Sequence, residues 1–166
     1  MFRFGALIVS LTAALGVAGC MYGFAGGGLP PNIRTMAILP FENQTASPEI
    51  SKELFDQMRQ ELQRRLGVRD APEERADAIV RGVVRDYVPD APVGFSADPR
   101  QAVSARRRLV VTIDVDIVDQ SNGHVLYQAK GQRGEADYNE RAEADGRKQA
   151  IQKILDDIVE GVHKQW

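Results

Sequence analysis

Leu109-Val110-Val111-Thr112-Ile113-Asp114-Val115-Asp116-Ile117-Val118 is the stretch on which the architecture turns. Leu109, Val111, Ile113, Val115 and Ile117 fall on one side of an extended chain, and Thr112, Asp114 and Asp116 fall on the other. That two-residue period predicts a strand with one buried face. Asp119-Gln120-Ser121-Asn122-Gly123 follows with hairpin-turn chemistry, of which Asn-Gly is the strongest element. Val125 to Arg133 then reads as the returning antiparallel strand.

Upstream, Asp77 to Tyr87 (DAIVRGVVRDY) alternates in the same way, with Arg81 and Arg85 on one face and Val80 and Val84 on the other. Val88 to Ser104 holds Pro89, Pro92, Gly94 and Pro99 and reads as an irregular excursion. Arg34 to Phe41 (RTMAILPF) predicts a short buried strand, and Glu42 to Ala46 a polar turn. Ser47 is a helix cap with Pro48 at the first helical position. Ile50, Leu54, Met58, Leu62 and Leu66 recur every four residues, with Phe55 alongside, giving one apolar helical stripe. Arg64 and Arg65 complement the dipole of its last turn, Gly67 stops it, and Asp70–Ala76 is a loop. From Asn139 onward the period is helical again. Ile151, Ile154, Leu155, Ile158, Val159 and Val162 make its core face, while Glu140, Arg141, Glu143, Asp145, Arg147 and Lys148 keep the first turns polar. The order β-α-β-β-β-α predicts a single α+β domain: a mostly antiparallel four-stranded sheet with two amphipathic helices packed on one face.

Of the 166 residues 43% are hydrophobic and 27% charged, which suits a folded chain and not an extended disordered one. A formal net charge of −2 gives no general attraction to nucleic acid, so none is expected as a partner. The single cysteine excludes an intrachain disulfide. Its setting suggests another use. Arg3 precedes an apolar run from Phe4 to Val17, shorter than the ~20 residues that span a bilayer. Val17-Ala18-Gly19-Cys20 resembles the lipobox of bacterial lipoproteins, in which the thiol is acylated and the chain is cut before the Cys. Residues 1–19 are therefore expected to be a cleaved signal peptide and Cys20 the lipid-modified first residue. Residues 20–33 form a tether rich in Gly and Pro, and residues 34–166 form the domain. Met21, instead of the Asp that signals inner-membrane retention, favours the inner leaflet of the outer membrane, with the domain on the periplasmic face.

No catalytic constellation is present. His124 and His163 have no ligand-type partner four residues away, so neither a metal site nor a cofactor is expected. Asp114 and Asp116 form the polar side of one strand and lack a nucleophile, base or metal ligand around them. Ser10 and Ser47 lie in the signal peptide and a helix cap. The Gly23–Pro31 run follows no strand and lacks the Gly-Lys-Ser/Thr ending of a phosphate loop. No enzyme is expected. What remains is a cationic corner: Arg106, Arg107 and Arg108 open the long strand and Lys130 and Arg133 lie on its return. Antiparallel pairing should bring the arginine end near Arg133. Arginine suits bidentate recognition of phosphate. The alternative role for these side chains is solubility and pairing with nearby acids.

Cys20, Tyr22-Gly23-Phe24 and Leu29-Pro30-Pro31-Asn32-Ile33-Arg34-Thr35-Met36-Ala37-Ile38-Leu39-Pro40-Phe41-Glu42-Asn43-Gln44-Thr45 resemble the start of LptE-type lipoproteins. Ala76–Gly82, the strand Arg108–Asp119 and Val125-Leu126-Tyr127 resemble the same family further along. The resemblance implies a role in lipopolysaccharide assembly, as a plug inside the outer-membrane barrel protein LptD that assists lipopolysaccharide delivery to the cell surface. With that role Arg106, Arg107, Arg108, Lys130 and Arg133 become candidate lipopolysaccharide contacts. Ala37–Thr45 also resembles the opening of lipoproteins that activate a cell-wall synthase and of curli-secretion lipoproteins. The chain is short for a secretion channel and offers no pair of amphipathic hairpins for a barrel wall. An activator needs only a tethered binding face.

Overall fold

The stretch 109–118 lies within the central long strand of a mixed sheet in the computed structural model, which describes residues 28–91, 106–139 and 141–166. In chain order the elements are β1 (Thr35–Ile38), β2 (Glu42–Asn43), α1 (Pro48–Leu66), β3 (Arg69–Asp70), a 3-10 turn (Glu73–Arg75), β4 (Ala78–Ala91), β5 (Arg106–Asp119), β6 (Val125–Asn139) and α2 (Glu143–Gln165). The expected signal peptide, Cys20, most of the tether, residues 92–104 of the excursion and Glu140 lie outside the described residues.

The sheet order is β3-β1-β4-β5-β6, with β2 also on β4. The long β4–β5–β6 meander is antiparallel, as the alternation and the Asn-Gly turn predict. The short strands are parallel additions: β1 joins β3 and β4, and β2 joins β4. The six-stranded sheet exceeds the expected four strands by these two-residue pieces, which are too short to have a period of their own.

Glu42 and Asn43, expected in a turn, resume the line of β1 along β4. Ile38 lies opposite Val80 and Glu42 opposite Val83, so the strand is interrupted by a bulge and does not end. Pro40 has no N–H and sits in that interruption, while the Leu39 N–H still reaches the Val80 carbonyl at 2.9 Å. Phe41 turns inward there and is buried. Its ring occupies the space a Cβ at Gly82 would need.

Helix α1 starts at Pro48 and ends at Gly67 in the left-handed conformation (φ 68°), as the sequence predicts. Ser47 stands at the N-cap position but its side chain makes no capping bond. The turn before the helix is held instead by Asn43, whose amide donates to the Ser47 carbonyl at 2.8 Å and whose Oδ1 accepts from the Thr45 N–H at 3.0 Å. The other strands also outrun their predicted ends. β4 continues to Ala91, tolerating Pro89 at a register shift. β6 continues from Arg133 to Asn139, and α2 begins only at Glu143.

Ile50, Leu54, Met58 and Leu62 of α1, which packs beside β1, β2 and β4, are buried in one core with Leu109, Val111, Ile113, Val115 and Ile117. The α2 stripe from Ile151 to Val162 joins the same core. Each such fully buried side chain contributes about 1.5–3 kcal/mol over exposure. The helices run parallel. Arg147 of α2 meets Glu53 of α1 at 2.9 Å, and further along Asp156 of α2 meets Arg65 of α1. Both helices therefore end at the β5–β6 turn, where the described chain also begins. Asn32 donates to Asp119 there, and the Gln120 N–H reaches the Asp77 carbonyl at 2.8 Å.

Candidate functional site

No described helix covers the opposite sheet face, and it carries most of the charged side chains of the long strands. Its centre is Asp114, only 7% exposed. The neighbouring strands both bulge beside it. In β4 the register shifts between Val84 and Asp86, freeing Arg85. In β6 two residues, Lys130 and Gly131, lie opposite this single aspartate, because Ile113 pairs with Gln132 and Val115 with Ala129. Gly131 supplies the positive φ of 64° that the second bulge needs. Asp114 closes both irregularities: Oδ1 accepts the Gly131 N–H at 2.8 Å and Oδ2 accepts Arg85 Nε at 2.8 Å. The Gly131 N–H foremost, then Arg85, holds the carboxyl below the usual range, against the opposing effect of burial.

Asp116, two residues on, accepts Gln128 at 2.8 Å and pairs with Lys130 at 3.2 Å and Arg81 at 3.9 Å. Thus Arg81 and Arg85, which alternation placed on one face, are the partners of Asp116 and Asp114. Arg81 lies directly opposite Asp116, whereas Asp114 lies opposite Val83 and meets Arg85 across the β4 bulge, so four residues on β4 answer two on β5. The pairing became legible only with the β4–β5 register.

The cationic corner is arranged differently from expectation. Because β6 runs on to Asn139, Arg106, Arg107 and Arg108 pair with Asn139, Tyr138 and Asp137, and Arg133 lies opposite Thr112. Glu135 stands between the two, binding Arg133 at 2.8 Å and Arg108 at 3.9 Å. Arg108 is held by Asp137 at 2.7 Å, while Arg107, on the helix side of β5 with Leu109, is held by Asp90 at 2.8 Å. Lys130 belongs to the Asp116 group. Acids thus accompany each of Arg107, Arg108, Lys130 and Arg133. The face is a mosaic of ion pairs whose cations could exchange a carboxylate for another anion. Among the described residues no three His, Cys, Asp or Glu side chains converge as metal ligands do.

A mixed sheet with two parallel helices on one face places the chain among small α+β domains. Solved structures of similar fold include dodecameric PelC from Paraburkholderia phytofirmans, at 19% identity over 81% of this chain and 94% of that one, with a TM-score of 0.53. XCC0632, a DUF330 protein from Xanthomonas campestris, has 10% identity over 83% of this chain and 91% of that one, with a TM-score of 0.53. CT253 from Chlamydia trachomatis has 12% identity over 80% and 97%, with a TM-score of 0.51. At these identities the likeness is one of fold. Direct sequence comparison with curated proteins finds no match. Residues 33–165 match the model of the LptE lipopolysaccharide-assembly family, and the chain belongs to that family.

Proposed function

We propose that this chain is an outer-membrane lipoprotein, acylated at Cys20, that plugs an LptD-type barrel and assists delivery of lipopolysaccharide to the cell surface. The match of residues 33–165 to the lipopolysaccharide-assembly family carries this reading. The ion-paired sheet face supports it. A plug meets a barrel interior that is polar, and a face of both charge signs presents partners to either sign there. Lipopolysaccharide carries phosphates and acidic sugars. In this reading Arg106, Arg107, Arg108, Lys130 and Arg133 bind those anions, Arg108, Arg133 and Lys130 handing over from Glu135, Asp137 and Asp116 and Arg107 from Asp90.

A detergent pull-down of tagged, acylated protein from its native outer membrane tests the proposal, with the captured proteins identified by mass. Stoichiometric recovery of a large β-barrel protein is expected. Recovery of a cell-wall synthase and no barrel would overturn the proposal in favour of the activator role.

A further inference from the structure

Among the described residues the large hydrophobic side chains that stand exposed are Val125 (46%) and Trp166 (48%). They lie together. The Trp166 indole donates to the Leu126 carbonyl at 3.2 Å, and its ring meets His124 edge-on with centroids 6.2 Å apart, so it touches the residues on both sides of Val125. The patch is at the end of the molecule where the chain enters. Asn32 donates to Asp119, whose N–H reaches the His124 carbonyl at 2.8 Å. Only seven residues lie between Cys20 and Gly28, where the described chain starts, a reach of at most about 28 Å.

We infer that this end of the free lipoprotein rests on the lipid surface, with Trp166 and Val125 as its interfacial contacts. The inference rests on acylation of Cys20 and is independent of the barrel. Tryptophan, with an apolar body and a polar edge, favours the headgroup level of a bilayer. The hairpin end surrounding it, Gln120-Ser121-Asn122-Gly123, is polar and uncharged, which suits headgroup contact. Two apolar side chains would bind a membrane weakly from solution. On a short lipid tether the encounter is intramolecular, and a weak patch is enough to set orientation. The sheet then stands away from the membrane, and the Arg106–Arg108 end of the 14-residue β5 points into the periplasm.

Trp166 is the single tryptophan of the chain, so its fluorescence reports on this patch alone. Acylated protein is reconstituted into phosphatidylethanolamine–phosphatidylglycerol vesicles with and without lipids brominated high on the acyl chain, then floated on a density gradient. The expected result is flotation, a blue-shifted emission and quenching by the brominated lipid, with Val125→Asp removing most of the quenching. Floating protein whose emission is neither shifted nor quenched overturns the docking while leaving the anchor intact. Quenching unchanged by Val125→Asp overturns the role of the patch. Protein that stays at the bottom of the gradient overturns the anchor, and the docking with it.

Discussion

Asp114 binds the Gly131 N–H and the Arg85 guanidinium only in the folded chain, which couples its protonation to folding. Its carboxyl is shifted down, so the stabilisation is present above the unfolded value of about 4 and is lost as pH falls through the lower folded value. Asp119, held down chiefly by the Ser121 hydroxyl, and Asp77, held down chiefly by the Arg34 N–H, act with the same sign. Asp114→Asn should therefore melt below the parent at pH 7, with the gap narrowing below about pH 4. Thermal melts across that range check it, and a gap of equal size at pH 3 would remove the coupling. Gly134 bears a different load. A Cβ there would run into the Ala150 carbonyl of α2, a backbone group that cannot turn aside. Gly134→Ala should cost about 1–3 kcal/mol in urea unfolding.

At the scale of elements, the long apolar periods made α1, β5 and the body of α2 legible in the sequence. The second half of β6 was not. Gly134, Ala136 and Tyr138 form its inward series, and the two small residues give almost no hydrophobic contrast against Arg133, Glu135 and Asp137. Their smallness is functional to the packing, since it lets α2 lie close over the strand. β2 and β3 were hidden for another reason: each is a two-residue pairing fixed by distant backbone and not by local preference. The helix pair offers a test of its own. Arg147 joins Glu53 at 2.9 Å and Glu143 at 3.0 Å, and Glu143 also accepts the Tyr87 hydroxyl at 2.6 Å. A double-mutant cycle on Glu53 and Arg147 should give a coupling of about 0.5–1.5 kcal/mol in chemical denaturation. Truncating Leu54 in the core stripe of α1 should cost more, about 2–5 kcal/mol.

For the molecule as a whole, the candidate site was half legible. Composition showed the cations, but their acids come from strands whose register no local pattern reveals, and the unforeseen length of β6 moved Arg133 away from the arginine end. The pairing makes a prediction with opposite signs for two variants. Alanine at Arg106, Arg107 and Arg108 should weaken lipopolysaccharide binding and flatten its salt dependence. Glu135→Gln, which releases Arg108 and Arg133 from their shared acid, should tighten it. Equilibrium binding to lipopolysaccharide at several ionic strengths reads both. Binding unchanged by the triple alanine variant would exclude that corner as the contact.

The position of β1 between β3 and β4 has a consequence for the order of assembly. β5 and β6 are joined by a tight turn and can pair early, whereas β1 gains its neighbours only after chain some forty residues later has been made. β1 is the first described strand along the chain, and its slot exists only once β3 and β4 lie on either side of it. Stopped-flow kinetics should register this asymmetry. Met36→Ala in β1 should mainly speed unfolding, and Ile113→Val in β5 should mainly slow folding. Until that slot closes, β1 presents unpaired backbone N–H and C=O groups on both edges, open to pairing with another chain.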